Sequence, residues 1–498
     1  MPSPIAATIA EIFDGALAAD PDREALVTRR VRWSYRELDH AAAVAAGVLA
    51  DLGVRAGDRI AAVLPNEADI IVAFHGAMRL GAIWVGINQA LATPEKIFLL
   101  TDSDSSLLLC DAETATALAP HRATLPALRN VVDESTWRSA MEHTDPLRDL
   151  PPVDPFAAAA LAYTSGTTGR PKGVIHSQHN LIVPGMVLVQ SRGYDHTLRK
   201  GDCLPLTILN LLVLTTLLTA QAHGTCVIMD QIFAEGIAEW IERERVTVWN
   251  GPPPTLFSLA ASDAVAPAAL RTLRDVWSGG ADIPEALLDR FNDKFGVRVA
   301  CTFGLSEAPT VVTIDPLDGR HVVGASGQVL PHLEVVIIDD EICIGPATTG
   351  PFAGLYRLPL GYWQRPDESA VAFAAGLLRT GDVGFIDDDG WLHVRDRKKL
   401  VIIRGGANVY PAEVERVLQS IEGIAGSAVT GVADERLGER VVAVVELVAG
   451  ATITAGDIIA RCTTELAKYK VPERIVFVDR LPRNAMGKVD RVAVRNVV

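Results

Sequence analysis

Cysteine is scarce in this chain: six in 498 residues, at positions 110, 203, 226, 301, 343 and 462, with no CxxC pair and no histidine cluster beside them. That excludes a disulfide framework and argues against a zinc site, and it fits a reducing, cytoplasmic setting. A basic excess is missing as well. Lys and Arg number 46 against 61 Asp and Glu, a net charge of −15. Nucleic acid is therefore not an expected partner, because phosphate backbones need a basic surface. The start, Met-Pro-Ser-Pro-Ile-Ala-Ala, lacks the basic-then-apolar layout of a signal peptide. Repeats and low-complexity tracts are absent. One uncharged run, Cys203–Ala220, has the length of a membrane span. It carries Pro205, Asn210 and four threonines, and reads as a buried helix beside an apolar cavity rather than an integral membrane segment.

What is present is an abundance of core-forming residues. Apolar residues make up 49% and charged ones 21%, and the length allows about three ordinary domains. The first 150 residues alternate helix and strand patterns. A helix starts at Ser34 and runs to Leu52, a strand covers 58–64, a helix 68–80 and a strand 107–110. The alternation resumes with strands at 226–230, 246–250, 276–278 and 297–302 and helices at 233–243 and 284–295. Such βα series imply a parallel sheet covered on both faces. After about residue 320 short β runs dominate (333–338, 342–344, 384–386, 391–394), with Asp387-Asp-Asp-Gly390 as a hairpin turn. A charge run, 395–399, precedes a last βα series. The fold class expected is α/β. Residues 1–396 form a large domain of layered α/β subdomains with a small β-barrel-like part, and residues 397–498 a small mobile α+β domain.

Between these series lies Tyr163-Thr-Ser-Gly-Thr-Thr-Gly-Arg-Pro-Lys-Gly173, after an apolar stretch, 156–162, suited to a buried strand. Three glycines, five hydroxyl side chains and two cations, with no hydrophobic period, describe a loop that wraps a polyphosphate. It is not a Walker loop, since Lys172 is flanked by Pro171 and Gly173.

Four further motifs follow in order: Thr302-Phe-Gly-Leu-Ser-Glu307, Arg379-Thr-Gly-Asp382, the stretch 396–415 (DRKKLVIIRGGANVYPAEVE) and Pro482–Arg491 (PRNAMGKVDR). Together with the 163–173 loop they resemble the adenylate-forming (AMP-binding) superfamily, which includes acyl- and aryl-CoA ligases, peptide-synthetase adenylation domains and beetle luciferases. The resemblance spans essentially the whole chain. It implies attack of a carboxylate on the α-phosphorus of ATP to give an acyl-adenylate and pyrophosphate, then capture of the acyl group by a thiol. ATP, Mg²⁺ and coenzyme A are the implied cofactor and co-substrates, and a homodimer stays open as the oligomeric state.

By that resemblance Thr164, Ser165, Thr167 and Thr168, the amides of Gly166 and Gly169, and Lys172 hold the β- and γ-phosphates. Glu307 is the implied metal ligand, with Ser306 on phosphate, Phe303 stacked on adenine, and Thr302 and Gly304 beside the nucleotide. Asp382 accepts from the ribose hydroxyls, and Gly279, Gly280 and Ala281 lie against adenine and the acyl carbonyl. Arg397 contacts ribose or phosphate. Lys399 is the hinge of the small domain. Lys488 reaches the carboxylate and α-phosphate during adenylation, so Lys488, Glu307 and Thr164 are the implied catalytic residues. Ile403, Arg404, Gly405 and Gly406 form the coenzyme A tunnel.

The residues leave the acid less defined. Ile208 stands where the family commonly has a histidine, so the gate to the acyl pocket is expected to be aliphatic. Ile208, Leu209, Leu212 and Val213, with Trp249, Asn250 and Pro252 opposite and Val276–Gly280 below, are the expected lining, with no Arg or Lys facing it. The expected substrate is an apolar monocarboxylic acid, fatty, aryl or alicyclic, activated and passed to coenzyme A. The alternative is a stand-alone enzyme loading a carrier-protein phosphopantetheine. With no carrier-like domain after Val498, free coenzyme A is favoured.

Overall fold

The computed structural model describes residues 6–164, 171–280, 283–398, 400–404, 407–434, 436–484 and 487–498, leaving aside the side chains at 309 and 310. Among these residues the chain builds four sheets. A seven-stranded sheet has the order Gly361–Tyr362, Lys172–Ser177, Ala158–Thr164, Ile83–Gly86, Arg59–Val63, Leu107–Cys110, Asn130–Asp133. Its strands from Ala158–Thr164 to Asn130–Asp133 are parallel. A nine-stranded sheet has a parallel centre of Val299–Leu305, Asp275–Gly279, Val248–Asn250, Arg199–Asp202, Thr225–Ile228 and Glu24–Val27, with antiparallel strands at both margins. The α/β expectation is met.

Local chemistry explains the elements. The helix Tyr35–Asp51 begins in a capping box, Ser34 accepting from the Glu37 amide and Glu37 reaching back to the Ser34 amide. Its alanine-rich face packs against the helix Ala68–Arg79, so closely that a Cβ on Gly76 would fall 2.8 Å from the Ala46 amide nitrogen. This pair, with Leu26, Trp84 and Leu212, belongs to the largest core. The strands expected at 107–110 and 333–338 appear with those limits.

A four-stranded antiparallel sheet follows, Leu333–Ile338, Glu341–Pro346, Leu378–Ile386, Leu392–Arg397. The turn at 387–390 closes its last hairpin, with Gly390 at φ +83. The fourth sheet, beginning at Ile402–Arg404, takes in Ala407–Val409, Gly438–Leu447, Ile424–Asp434 and Arg474–Val478, with Pro411–Gln419 and Ala455–Glu465 as its helices.

Two expectations need correcting. The 163–173 segment is not all loop: Tyr163 and Thr164 end one strand, Lys172 and Gly173 begin the next, and Thr164 pairs with Lys172 across an antiparallel hairpin. The 203–220 run is not one helix. It contains Leu209–Leu212, a π-helical turn Val213–Leu217 and Leu218–Ala222. Among the described residues no helix is long and apolar enough to cross a membrane. All six cysteines are buried and free of disulfides.

Candidate active site

The hairpin of Ala158–Thr164 and Lys172–Ser177 carries the start and end of the proposed phosphate loop. Ser165, Gly166, Thr167, Thr168 and Gly169 lie outside the described residues. The Tyr163 hydroxyl donates to Asp102 Oδ2 at 2.8 Å, anchoring one strand end. At the other, the Lys172 ammonium sits 5.3 Å from the Tyr362 ring centroid and pairs with Glu368.

Ser306 and Glu307 form the turn between Val299–Leu305 and Ala308–Ile314. Two residues that sequence reasoning missed hold it. His176 Nε2 donates to the Ser306 carbonyl at 2.7 Å, and the Tyr362 hydroxyl donates to Glu307 Oε1 at 3.1 Å. Burial pushes the His176 imidazole down to about 4 against the opposing effect of the Ser306 bond, so it is neutral near pH 7. A histidine inside the apolar strand 172–177 was the available signal. Phe303 is half-buried against the core of the small four-stranded sheet, and Thr302 Oγ1 donates to the Ser278 carbonyl at 3.0 Å. Gly279 packs on Thr302 with no space for a side chain: a Cβ would lie 2.3 Å from Thr302 Oγ1.

Asp382 and Arg397 pair across the hairpin of Leu378–Ile386 and Leu392–Arg397, Arg397 Nε donating to Asp382 Oδ1 at 2.8 Å. Asp382 is 4% exposed, and its Oδ2 is buried without a partner among the described residues. Burial raises its carboxyl to about 6, opposed by Arg397 and reinforced by Glu307.

Lys488 enters from the C-terminal unit. Arg483 and Val489 bridge, Asn484 and Lys488 exchange backbone and side-chain hydrogen bonds, and Gly487 turns at φ +76. This hairpin projects the Lys488 ammonium to 3.5 Å from the Cβ position of Gly280. The residue as a whole is exposed, and its ammonium lies against Gly280. Desolvation lowers its pKa, Arg397 adds to the lowering, and Asp382 opposes it. Gly280, Asp382, Arg397 and Lys488 are thus brought together. Ala281, Lys399, Gly405 and Gly406 lie outside the described residues. Ile403 is 56% exposed; its amide donates to Glu439, the Arg404 side chain donates to Lys468, Tyr469 and Glu473, and both residues pair as strand with Asn408, Ala407 and Gly438, all in the C-terminal unit.

The expected acyl lining changes more. Trp249 projects to the opposite face of the nine-stranded sheet from Gly279 and packs with Trp240, Leu256 and Val276. Leu209 and Leu212 belong to the large core with Phe74 and Trp84. Leu214 and Leu218, one π-helical turn on, pack with Trp277 instead. The π turn shifts the phase that a regular helix would keep. The sheet face bearing Gly279 and Trp277 also carries a lysine, Lys200, contrary to expectation. Likewise a histidine does approach a cysteine: ligand atoms of Cys301, Asp315 and His321 fall within 4.8 Å. Both His321 ring nitrogens already face carboxylates, Asp315 at 2.9 Å and Glu285 at 3.3 Å, and the ion pair accounts for the group.

Comparison with known proteins decides the family. The sequence profile of the AMP-binding enzyme family matches residues 13–350, and that of the AMP-binding enzyme C-terminal domain matches 413–488. The chain belongs to the AMP-binding enzyme family. It is 33% identical over 476 residues to the long-chain-fatty-acid–CoA ligase FadD13 of Mycobacterium tuberculosis, covering 93% of each chain. It is 34% identical over 489 residues to the 2-succinylbenzoate–CoA ligase of Geobacillus kaustophilus, covering 96% of each. ATP-bound MatB from Rhodopseudomonas palustris superposes with a TM-score of 0.89 at 28% identity, over 98% of each chain. In this family the large N-terminal and small C-terminal α/β parts recur, as in MatB.

Proposed function

We propose that this acyl-CoA ligase of the AMP-binding enzyme family activates an apolar monocarboxylic acid with ATP and transfers the acyl group to coenzyme A. One observation carries the reading: the buried Asp382 Oδ2, unpartnered among the described residues, beside Arg397 in the cleft that also receives the Lys488 ammonium. An unmet acceptor opposite a donor suits a ribose diol. Lys488, at Gly280, is positioned for the acid carboxylate and the α-phosphate, where a cation offsets charge as it develops. Thr164 and Lys172 flank the pyrophosphate, and Phe303 faces adenine.

Glu307 fits a magnesium ion. It offers a single half-buried carboxylate with one oxygen engaged by Tyr362, and Mg²⁺ takes few carboxylates beside phosphate and water. When bound, the ion would neutralise phosphate charge. Residues 1–396 and 397–498 act as two units in this proposal, with Lys399 as hinge. Rotation would withdraw Lys488 and present the 403–406 segment to coenzyme A.

The test is a panel of carboxylic acids with ATP and coenzyme A, read by pyrophosphate release and by the mass of the thioester. Turnover confined to amino acids or dicarboxylates would sink the substrate class. Acyl transfer only to a phosphopantetheinylated carrier protein would replace coenzyme A as acceptor.

A further inference from the structure

The strand Arg199–Asp202 lies in the middle of the nine-stranded sheet, and two of its side chains are charged and fully buried: Lys200 and Asp202 are each 0% exposed. Register places Lys200 beside Val248 and Asn250 beside Trp277. Side chains alternate along strands. Lys200, Asp202, Asn250, Trp277 and Gly279 therefore share one face, which the segment 209–222 covers.

We propose that this face is the far end of the acyl pocket, and that the acid it takes carries an uncharged oxygen acceptor there, received by Asn250 and Trp277. The proposal rests on the ligase reading above.

The geometry gives the polarity of the site. The Lys200 ammonium donates to the Gly201 carbonyl at 3.0 Å and to Asn250 Oδ1, and lies 3.5 Å from Asp202 Oδ2. Asp202 in turn accepts from Thr215 Oγ1 at 3.1 Å and from the Leu204 amide at 2.9 Å. An ammonium can only donate, so it fixes the Asn250 amide with its oxygen toward Lys200 and its NH₂ turned away. Among the described residues that Nδ2 makes no hydrogen bond, and Asn250 is 9% exposed. Trp277, 2% exposed, has its Nε1, also a donor, buried without a partner among the described residues. A ligand group meeting them must accept.

Charge selects among acceptors. Asp202 balances Lys200, so the pair presents no net positive charge to a second carboxylate. A hydroxyl, keto or ether oxygen fits two neutral N–H donors. Gly279 stands at the reaction end, and Trp277 is two residues away, about 7 Å along the strand. That is the span of a substituted aromatic ring or a medium-length chain.

The experiment uses the full-length enzyme with ATP, coenzyme A and pairs of acids identical except for an oxygen at the far end. Wild type should favour the oxygenated member by roughly tenfold or more in kcat/KM, because a site built to hydrogen-bond discriminates against analogues lacking the group. Asn250→Leu should abolish the preference, bringing kcat/KM for the oxygenated member down to that for the apolar one. So should the double variant Lys200→Met/Asp202→Leu, which leaves neither charge unpaired in the core. Equal rates for both members in wild type would overturn the proposal, as would a preference for dicarboxylates or a preference that survives both variants. If the variants do not fold, the wild-type comparison alone decides. No thioester or pyrophosphate from any acid removes the ligase reading itself, whereas equal turnover of both members removes only this inference.

Discussion

The Lys488 ammonium lies 3.5 Å from where a Cβ on Gly280 would stand, so a residue near the C-terminus closes on the end of the strand Asp275–Gly279. Gly280 itself has φ +78, a conformation that side chains resist. Lys488→Ala should cut carboxylate-dependent ATP–pyrophosphate exchange by roughly 100-fold or more, the scale of losing one charge-stabilising donor. Thioester formation from a supplied acyl-adenylate should fall far less, because the proposed rotation has by then withdrawn the lysine. Equal losses in both half-reactions would refute that division of labour.

Asp382 gives a pH signature. Its carboxyl, raised from 3.8 to about 6 by burial, holds a proton more tightly in the folded chain than in the unfolded one. A carboxyl raised in this way lowers stability progressively as pH climbs from about 4 to about 6, and the loss is complete above that. Nucleotide binding runs in the opposite sense, since the ribose diol needs the ionised acceptor. Affinity for AMP should rise with pH up to about 6 and then level off, with proton release on binding below that point. Calorimetry in buffers of different ionisation enthalpy measures both. In Asp382→Asn the pH dependence should vanish, affinity should be weaker at pH 7, and the thermal midpoint above pH 6 should be higher than wild type.

Stability at the start of the central strand Asp275–Gly279 depends on another buried pair. Arg192 donates to both oxygens of Asp275 at 2.7 Å and to the Asp315 carbonyl at 2.7 Å, while the Tyr194 hydroxyl donates to Asp275 Oδ2 at 2.5 Å. The side chains of Arg192 and Asp275 are 4% and 8% exposed. Removing one partner leaves an uncompensated charge, so Arg192→Met should cost about 3–5 kcal/mol of unfolding free energy. A denaturant titration showing less than about 1 kcal/mol would mean that water reaches the orphaned Asp275.

How much of this was legible in the sequence depended on how local the determinant was. Ser34 and Glu37 announce their helix within four residues, and 333–338 shows its strand in its own composition. The proposed nucleotide cleft was legible as residue types, since Asp382, Glu307 and Lys488 each sit in a short distinctive motif. Their meeting was implied only by the family resemblance and not by the residues themselves, because 75 to 181 positions separate them in sequence and the fold closes the gap. The proposed acyl pocket resisted most. Arg199-Lys-Gly-Asp202 has the composition of a surface turn, yet neighbouring strands on both sides bury it. Tertiary pairing overrides propensity there. The π turn at 213–217 hid the phase of the leucines, since extra residues in one turn rotate everything downstream. Trp249 was misplaced for a simpler reason: a three-residue strand, Val248–Asn250, shows no alternation long enough to reveal which face is which.

Lys172 and Glu368 supply the last prediction. The lysine proposed to neutralise the leaving pyrophosphate is paired with Glu368, over the ring of Tyr362. Incoming phosphates must displace that carboxylate, so part of the attraction between ATP and Lys172 is spent breaking an existing pair. Glu368 is 41% exposed at its side chain, which limits the pair to a modest strength and makes it sensitive to salt. Glu368→Gln keeps the shape and removes the competing charge. It should lower the KM for ATP by about two- to fivefold with kcat little changed, the change expected from an exposed pair worth up to ~1 kcal/mol. The advantage of the variant should shrink as ionic strength rises. A KM that stays the same at low salt would mean that Lys172 meets phosphate without giving up Glu368.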